Sequence, residues 1–299
     1  MRAFRQVDVF TAEPYRGNPV AVVHDADGMS DEQMQQFANW TNLSETTFLL
    51  EPTDPAADYR VRIFTPSIEL PFAGHPTIGT CHAWLEAGGE PKGKAIVQEC
   101  GVGLVSLRRS EDRLAFAAPD LITSGPVDED LVIRVCSVLQ VDRSEVVAAQ
   151  WADNGPGWIA VMFASAEAVL ALEPDFDTDD ASGAGIIGRH PIGVVGPSKI
   201  GVVGSTGDGA DQPAIEVRAF FRNGAQATED PVTGSLNAGL AQWLLREGHE
   251  GSAIGLQAPY VAAQGTALGR AGRVYVDEAD GEIWVGGDAV TAIVGEVLL

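Results

Sequence analysis

Residues 69–88 read ELPFAGHPTIGTCHAWLEAG, and residues 229–248 read EDPVTGSLNAGLAQWLLREG. At an offset of 160 positions the two stretches share 6 of 20 residues, whereas about one or two matches are expected by chance. The shared pairs are Glu69/Glu229, Pro71/Pro231, Gly74/Gly234, Gly79/Gly239, Leu85/Leu245 and Gly88/Gly248. This internal repeat predicts that the chain consists of two similar halves.

Both repeated stretches contain a segment without any Asp, Glu, Lys or Arg, from Pro76 to Leu85 and from Leu236 to Leu245. A helix that has no polar face is a buried helix. Because strand-like segments dominate the rest of the chain, we predict that each half wraps a sheet around one central helix. The shared glycines, Gly79 and Gly239, favour close packing, since an interior glycine otherwise costs about 0.5–1 kcal/mol relative to alanine.

Segments rich in β-branched and aromatic residues predict the strands. They are Arg5–Phe10, Pro19–Val23, Thr46–Leu50, Tyr59–Phe64, Gly103–Leu107, Trp158–Phe163, Glu216–Phe221, Arg273–Val276, Ile283–Val285 and Ala289–Val297. Ser30 and Gln33 form a capping box that predicts a helix ending near Trp40. Two amphipathic surface helices are predicted at Glu129–Leu139 and Ala166–Leu172. The predicted fold class is therefore α+β, with two similar half-domains, each a β-barrel-like sheet wrapped around a central helix.

Residues 117–130, AAPDLITSGPVDED, have the composition of a linker. We therefore predict an N-terminal half-domain at residues 1–120 and a C-terminal half-domain at residues 121–299. This division leaves open that the final strand returns to the first half.

The chain is strongly acidic, with 19 Lys and Arg against 42 Asp and Glu and a formal net charge of −23. Such a surface repels phosphate backbones and anionic lipids, so neither nucleic acid nor a membrane is an expected partner. No run of 18 apolar residues is present, and the N-terminal residues MRAFRQVDVF lack the apolar core of a signal peptide. We therefore predict a cytoplasmic protein.

Metal and cofactor motifs are missing from the sequence. The three cysteines, Cys81, Cys100 and Cys136, show no CxxC spacing, and the five histidines form no HExxH pair. Residues 183–188 match the GxGxxG pattern, but no strand before it and no helix after it is predicted, and a dinucleotide site requires both. We expect neither a metal nor a cofactor.

Each central helix is predicted to begin at a glycine followed by a polar residue, Gly74-His75 and Gly234-Ser235. Helix starts carry unpaired backbone N–H groups and partial positive charge, so they bind carboxylates well. If the two halves face each other, both starts converge on one cleft, and this is the predicted site. The simpler alternative is that His75 and Ser235 are N-caps.

Two carboxylates lie close to these segments in the sequence. Glu45 precedes an apolar strand, where a carboxylate is ordinarily a solvated turn residue. Asp230 lies in a turn before the second central helix, where its alternative role is to compensate the helix dipole. The residues by themselves leave both alternatives open.

Taken together, the motifs resemble the PhzF-like family of phenazine biosynthesis proteins, within the diaminopimelate-epimerase fold superfamily. The matching segments are Val7–Thr11, Gly17–Val22, Asn42–Thr46, Arg62–Pro66, Glu69–Thr77 and Glu229–Ser235, of which the last two are specific. The resemblance implies two halves, each a β-barrel-like sheet around one helix, with the site between them.

The resemblance also implies which residues act. Glu45 is the implied acid/base, assisted by His75, Asp230 and Ser235, and we predict Glu45, Asp230 and His75 as catalytic residues. The predicted substrate-binding residues are Ser235, Gly74, Gly234, Pro76, Ser44 and Thr233. The expected partners are a small-molecule substrate and a second copy of the chain in a homodimer.

The family's namesake moves a proton between ring carbons of trans-2,3-dihydro-3-hydroxyanthranilate without a cofactor. The resemblance therefore implies a cofactor-independent isomerase of a small carboxylate-bearing metabolite. The thiol epimerases of the superfamily place one Cys before each central helix, whereas this chain has Ala73 and Thr233, so two-thiol epimerisation is not expected. Two alternatives stay open: a carboxylate-based racemase or tautomerase of another amino acid derivative, and a non-catalytic small-molecule binding protein on the same fold.

Overall fold

The computed structural model of the chain describes residues 1–110, 113–177, 192–197, 212–223, 226–246 and 255–299. These residues divide into two compact units. The first unit comprises Met1–Ala117 and Val285–Leu299, and the second comprises Ala118–Trp284. The last strand of the chain therefore belongs to the first unit.

The first unit is built from two helices and nine strands of the described chain, beginning and ending with a strand. In chain order they are β1 (Arg2–Val9), β2 (Asn18–Val23), α1 (Asp31–Thr41), β3 (Glu45–Leu50), β4 (Tyr59–Phe64), β5 (Glu69–Leu70), α2 (Gly74–Glu86), β6 (Ile96–Cys100), β7 (Gly103–Ser110), β8 (Arg113–Ala117) and the last strand β18 (Ala289–Val297).

The second unit has the same kinds of element in its described residues. In chain order they are β9 (Thr123–Pro126), α3 (Glu129–Leu139), β10 (Val146–Asp153), β11 (Ile159–Phe163), α4 (Ala166–Leu170), β12 (Ile192–Pro197), β13 (Ile215–Asn223), β14 (Gln226–Asp230), α5 (Gly234–Leu245), β15 (Tyr260–Gln264) and β16 (Gly272–Ala279). The strand β17 (Glu282–Gly287) runs across the boundary between the two units.

The two units repeat one another strand by strand. In the first, β1 pairs antiparallel with β2 and β18, and β2 pairs parallel with β3. Next, β3 pairs antiparallel with β4, β4 pairs antiparallel with β5 and parallel with β6, and β6 pairs antiparallel with β7. The strands β10 to β16 pair in the same order and directions, with β9 in the place of β18. The prediction of two similar halves is confirmed.

Each unit packs one buried helix against its strands. The helix α2 contacts β1, β2, β3, β8 and β18, and α5 contacts β10 and β16. Every residue of α5 from Leu236 to Leu244 is buried, and α2 is buried from Gly74 to Cys81. These are the helices that the charge-free segments predicted.

The repeated glycines lie where strands cross the central helices. A Cβ atom on Gly79 would come within 2.4 Å of Val20 Cγ1 and 2.9 Å of Val9 Cγ2. A Cβ atom on Gly239 would come within 2.4 Å of the carbonyl oxygen of Ala152. The close approach of strand and helix compensates for the conformational entropy that an interior glycine loses on folding.

A second repeated feature combines an arginine, a phenylalanine and a glutamate. The residues are Arg62, Phe64 and Glu69 in the first unit and Arg218, Phe220 and Glu229 in the second. In both units the guanidinium carbon lies 5.1 Å from the phenylalanine ring centroid. In both units the guanidinium also donates two hydrogen bonds to the glutamate. Of this feature, the sequence repeat at an offset of 160 contains only the two glutamates.

The elements differ from the sequence prediction mainly in the number of strands. Those that the sequence patterns missed include Ile96–Cys100, Arg113–Ala117, Thr123–Pro126, Val146–Asp153, Ile192–Pro197, Gln226–Asp230 and Tyr260–Gln264. The sequence of β10, VVAAQWAD, contains alanines that favour a helix, but its pairing with β9 and β11 imposes the strand. The predicted linker at residues 117–130 likewise contains a strand, β9, and the two units divide at its start, between Ala117 and Ala118.

Candidate functional site

The first central helix has an uncapped, buried start. The helix α2 begins at Gly74, and its N-cap residue Ala73 makes no side-chain cap hydrogen bond. His75 is the second residue of the helix, so the alternative that it is the N-cap is wrong. Gly74, His75 and Pro76 are all buried. Such a start leaves backbone N–H groups for another acceptor, and an anion suits the partial positive charge there.

Glu45 lies beside this helix start. Its Oε2 is 3.3 Å from Nε2 of His75, and the two side chains are only 15% and 5% exposed. Glu45 is the first residue of β3, which Thr47 ties to α2 by accepting a 2.8 Å hydrogen bond from the hydroxyl of Thr80. Glu45 is therefore a largely buried carboxylate on a fixed strand, and not a solvated turn residue.

Asn18 completes the polar group of the first unit. It is fully buried, and its Nδ2 lies 3.4 Å from Nδ1 of His75. The loop before it is held by Asp8, whose Oδ2 accepts hydrogen bonds of 2.8 and 3.1 Å from the N–H groups of Arg16 and Gly17. A Cβ atom on Gly17 would lie 2.1 Å from a carbonyl oxygen of β1, so only glycine fits there.

His75 is neutral in this environment. Burial lowers the pKa of His75 to about 3, because the imidazolium would lose its hydration. Burial likewise lowers the pKa values of His24 and His82 below their usual range. A neutral imidazole provides one hydrogen-bond donor and one acceptor.

The free energy of unfolding is expected to fall as the pH drops below about 6.5. His75 takes up a proton near that pH in the unfolded chain, whereas in the folded chain its pKa is about 3. Between these values the unfolded state binds more protons, so acid destabilises the fold by at most about 1.4 kcal/mol per pH unit through this residue. Urea titrations between about pH 5 and 6.5 measure the slope. His75→Gln is expected to have a shallower slope, and equal slopes would contradict the prediction.

In the second unit, a network of buried amides and hydroxyls holds Asp230. Asp230 is the last residue of β14, and its Oδ2 accepts a 2.6 Å hydrogen bond from the hydroxyl of Thr233. Gln264 donates to that hydroxyl and accepts from the N–H of Thr233, both at 3.0 Å. Asn237 donates a 2.8 Å hydrogen bond to Gln264. These contacts fix the Asp230 carboxylate next to the start of α5.

Ser235 is the second residue of α5, so it is not the N-cap either. Its Oγ accepts a 3.1 Å hydrogen bond from the indole N–H of Trp158. Its carbonyl oxygen accepts a 2.8 Å hydrogen bond from the side-chain amide of Asn154. The N-cap is Thr233, whose side chain makes no cap hydrogen bond and bonds to Asp230 instead.

Sequence reasoning missed the residues that hold the two helix starts. Asn18 and Trp158 contact the second helical residue in each unit, and Gln98 donates a 3.0 Å hydrogen bond to Thr77 of α2. Gln264 makes the corresponding hydrogen bonds at the start of α5, to the N–H group and the hydroxyl of Thr233. The sequence signal for such residues is an amide within an apolar strand pattern, as in Ile96-Val97-Gln98. A polar side chain that is buried in a strand needs a hydrogen-bond partner, so it indicates a specific contact.

The structure thus places the predicted site residues in two groups. The first unit holds Ser44, Glu45, Gly74, His75 and Pro76, and the second holds Asp230, Thr233, Gly234 and Ser235. Within the groups, Glu45 contacts His75, and Asp230 contacts Thr233. A single cleft shared by the two groups stays a prediction.

In the described ranges, no three His, Cys, Asp or Glu side chains lie together as a set of metal ligands. The GxGxxG match at residues 183–188 lies outside the described residues. Over the part of the chain that the structure describes, no helix combines the length and apolar character needed to cross a membrane.

Sequence similarity to known proteins extends over nearly the whole chain. The family profile PhzC-PhzF, described as phenazine biosynthesis-like protein, matches residues 7–295. Antisense-enhancing sequence 1 of Schizosaccharomyces pombe is 37% identical over 318 aligned residues, which cover 98% of each chain. Trans-2,3-dihydro-3-hydroxyanthranilate isomerase of Pseudomonas aeruginosa is 35% identical over 177 residues, covering 58% of this chain and 62% of its own.

A solved structure of a PhzF-family protein has a similar fold. The crystal structure of a phenazine biosynthesis protein of the PhzF family from Enterococcus faecalis matches with a TM-score of 0.76 and 23% sequence identity, covering 100% of both chains. The family profile and the fold agree with the resemblance found in the motifs. The chain therefore belongs to the PhzC-PhzF family of phenazine biosynthesis-like proteins.

Proposed function

We propose that this PhzF-family isomerase moves a proton between two carbons of a small carboxylate-bearing metabolite resembling trans-2,3-dihydro-3-hydroxyanthranilate. Glu45 removes the proton and returns it, and neither a metal nor a cofactor takes part. The observation that carries the proposal is the buried pair of Glu45 and His75, 3.3 Å apart at the uncapped start of α2.

The geometry of this pair suits proton transfer. A general base works best when it is held within reach of the carbon acid and shielded from bulk water. Glu45 meets the second condition because the side chain is 15% exposed, and β3 holds it in place. In the proposal, the N–H groups at Gly74 and His75 bind the substrate carboxylate, and the neutral His75 stabilises charge that develops in the transition state.

The second unit contributes substrate binding in the proposal. Asp230 and Ser235 orient the substrate, because the first is a fixed carboxylate acceptor and the second is a hydroxyl whose own acceptor position is taken by Trp158. The main chain at Gly234 offers further donors. Ser44 and Pro76 flank the acid/base and the helix start, respectively.

A single acid/base group suits an isomerase, because one carboxylate can remove a proton from one carbon and return it to another. A racemase moves a proton between opposite faces of one carbon and needs an acid/base group on each face. A racemase on this scaffold would have to use Asp230 as its second group.

Deuterium exchange tests the proposal. The purified protein, incubated with EDTA and without nucleotide, is expected to incorporate solvent deuterium into trans-2,3-dihydro-3-hydroxyanthranilate or a related carboxylate-bearing metabolite in D₂O. NMR of a metabolite pool in D₂O identifies the substrate. Loss of turnover with EDTA that a single divalent ion restores would show that the metal-free mechanism is wrong.

The same experiment separates the alternatives. A non-catalytic binding protein binds its ligand without any exchange. A racemase yields a product with the same connectivity and the opposite configuration, which chiral chromatography detects. An isomerase yields a product whose proton lies on a different carbon, which NMR detects.

A further inference from the structure

The contact between the buried amide of Asn18 and the ring of His75 indicates which ring nitrogen accepts a hydrogen bond. Its side chain is fully buried, and the 3.4 Å contact joins its Nδ2 to Nδ1 of the histidine. An amide nitrogen donates hydrogen bonds and does not accept them. In this contact Nδ1 is therefore the acceptor, and the proton of the neutral ring lies on Nε2.

The contact on the other side of the ring favours the same tautomer. Nε2 of His75 lies 3.3 Å from Oε2 of Glu45, slightly beyond the usual hydrogen-bond range of about 2.7–3.2 Å. In the proposed function Glu45 is the base and is therefore ionised, and an ionised carboxylate accepts hydrogen bonds and cannot donate them. An attractive contact with it requires the proton on Nε2. With the proton on Nδ1, the lone pair of Nε2 would face the carboxylate and repel it. The side chains form one directed series from Asn18 through His75 to Glu45.

We infer that Asn18 is a positioning residue that holds His75 in the tautomer with its proton on Nε2. The inference rests on the proposed function, in which Glu45 handles the proton, and it adds how the neighbouring histidine is kept ready to donate. The amide itself is rigid, because Asp8 and Gly17 fix the loop that leads into it.

The second unit has the same arrangement with different residues. Trp158 makes the corresponding contact, because its indole N–H donates to Oγ of Ser235, the second residue of α5, at 3.1 Å. An indole nitrogen also donates only, so the Ser235 hydroxyl accepts from it and directs its own proton elsewhere. In both units a buried donor at this position sets the direction of the hydrogen bond made by the second residue of the central helix.

The experiment reads the tautomer directly. The ¹⁵N NMR spectrum of the full-length protein labelled with [¹⁵N]histidine shows which ring nitrogen of His75 carries the proton, with His75→Gln used to assign the signal. We expect Nε2 in the wild type. Asn18→Asp reverses the direction, because a carboxylate at this place accepts from Nδ1, so the proton is expected on Nδ1. Asn39→Asp, the same change on an exposed residue of α1, is expected to keep the wild-type tautomer.

Turnover provides the second measurement. Asn18→Asp is expected to lower kcat roughly 10²-fold with little change in KM, because substrate binding is kept and the donor beside Glu45 is lost. If Asn18→Asp does not fold, Asn18→Ala takes its place. In that variant Glu45 alone favours the proton on Nε2, so the fraction of His75 with its proton on Nδ1 is expected to rise above the wild-type value. A proton on Nδ1 in the wild type, or an unchanged tautomer in the folded Asn18 variants, overturns the inference. The tautomer is read without substrate, so this outcome is independent of whether the isomerase proposal holds.

Discussion

Replacement of Glu45 by glutamine is expected to lower turnover by about 10²- to 10⁴-fold, the span for loss of a general acid/base. Glutamine keeps the size of the side chain and an oxygen that accepts from His75, but its amide does not take a proton from carbon. Because the side chain is mostly buried and the replacement has nearly the same shape, the variant should fold and bind ligand as the wild type does. Solvent deuterium exchange into the substrate and ligand affinity, measured on both proteins, check this.

Two further variants separate the role of Glu45 from general effects of charge. Glu51→Gln removes an exposed carboxylate that directly follows β3, and it should leave exchange unchanged. Asp230→Asn should lower turnover partly through weaker binding, because its proposed role is to orient the substrate. If Glu45→Gln exchanges protons at the wild-type rate, Glu45 is not the shuttle, and Asp230 or His75 must take that role.

The central helices could be predicted because their signal is local. A stretch such as Leu236–Leu245 that lacks charge on every face has to be buried, whichever elements surround it. The capping box of Ser30 and Gln33 is local as well, and both of its hydrogen bonds form. The burial of Glu45 could not be predicted in this manner. It arises from the parallel pairing of β2 with β3 and from the tie between Thr47 and Thr80, which are tertiary contacts.

The repeated arginine feature was missed for a geometric reason. Arg62 and Arg218 are 156 positions apart, whereas the glutamates that they bind, Glu69 and Glu229, are 160 apart. Nine positions separate Phe220 from Glu229, whereas five separate Phe64 from Glu69, so no single offset aligns both parts. The strand register shows the equivalence, because Phe64 pairs with the first glutamate and Phe220 pairs with the second.

Replacement of Arg218 by methionine is expected to destabilise the protein by about 3–5 kcal/mol, because it leaves the buried carboxylate of Glu229 without its cationic partner. Arg218 donates to Glu229 at 3.0 and 2.7 Å, and the two side chains are 6% and 9% exposed. The same guanidinium donates to the carbonyl oxygens of Val169 and Leu172, at 3.2 and 2.8 Å, and both would lose a donor. Urea denaturation measures the free energy of unfolding.

The repeat supplies a matched control for this prediction. Arg62 makes the equivalent bonds in the first unit, but its partners Asp31 and Glu69 are 77% and 41% exposed, so water replaces the lost donor. Arg62→Met should therefore cost only about 0–1 kcal/mol. The double variant Arg218→Met/Glu229→Leu should recover part of the loss of the single variant, since removal of both charges leaves no stranded carboxylate. If Arg218→Met costs no more than Arg62→Met, or if the double variant recovers nothing, burial of the Glu229 charge does not determine the effect.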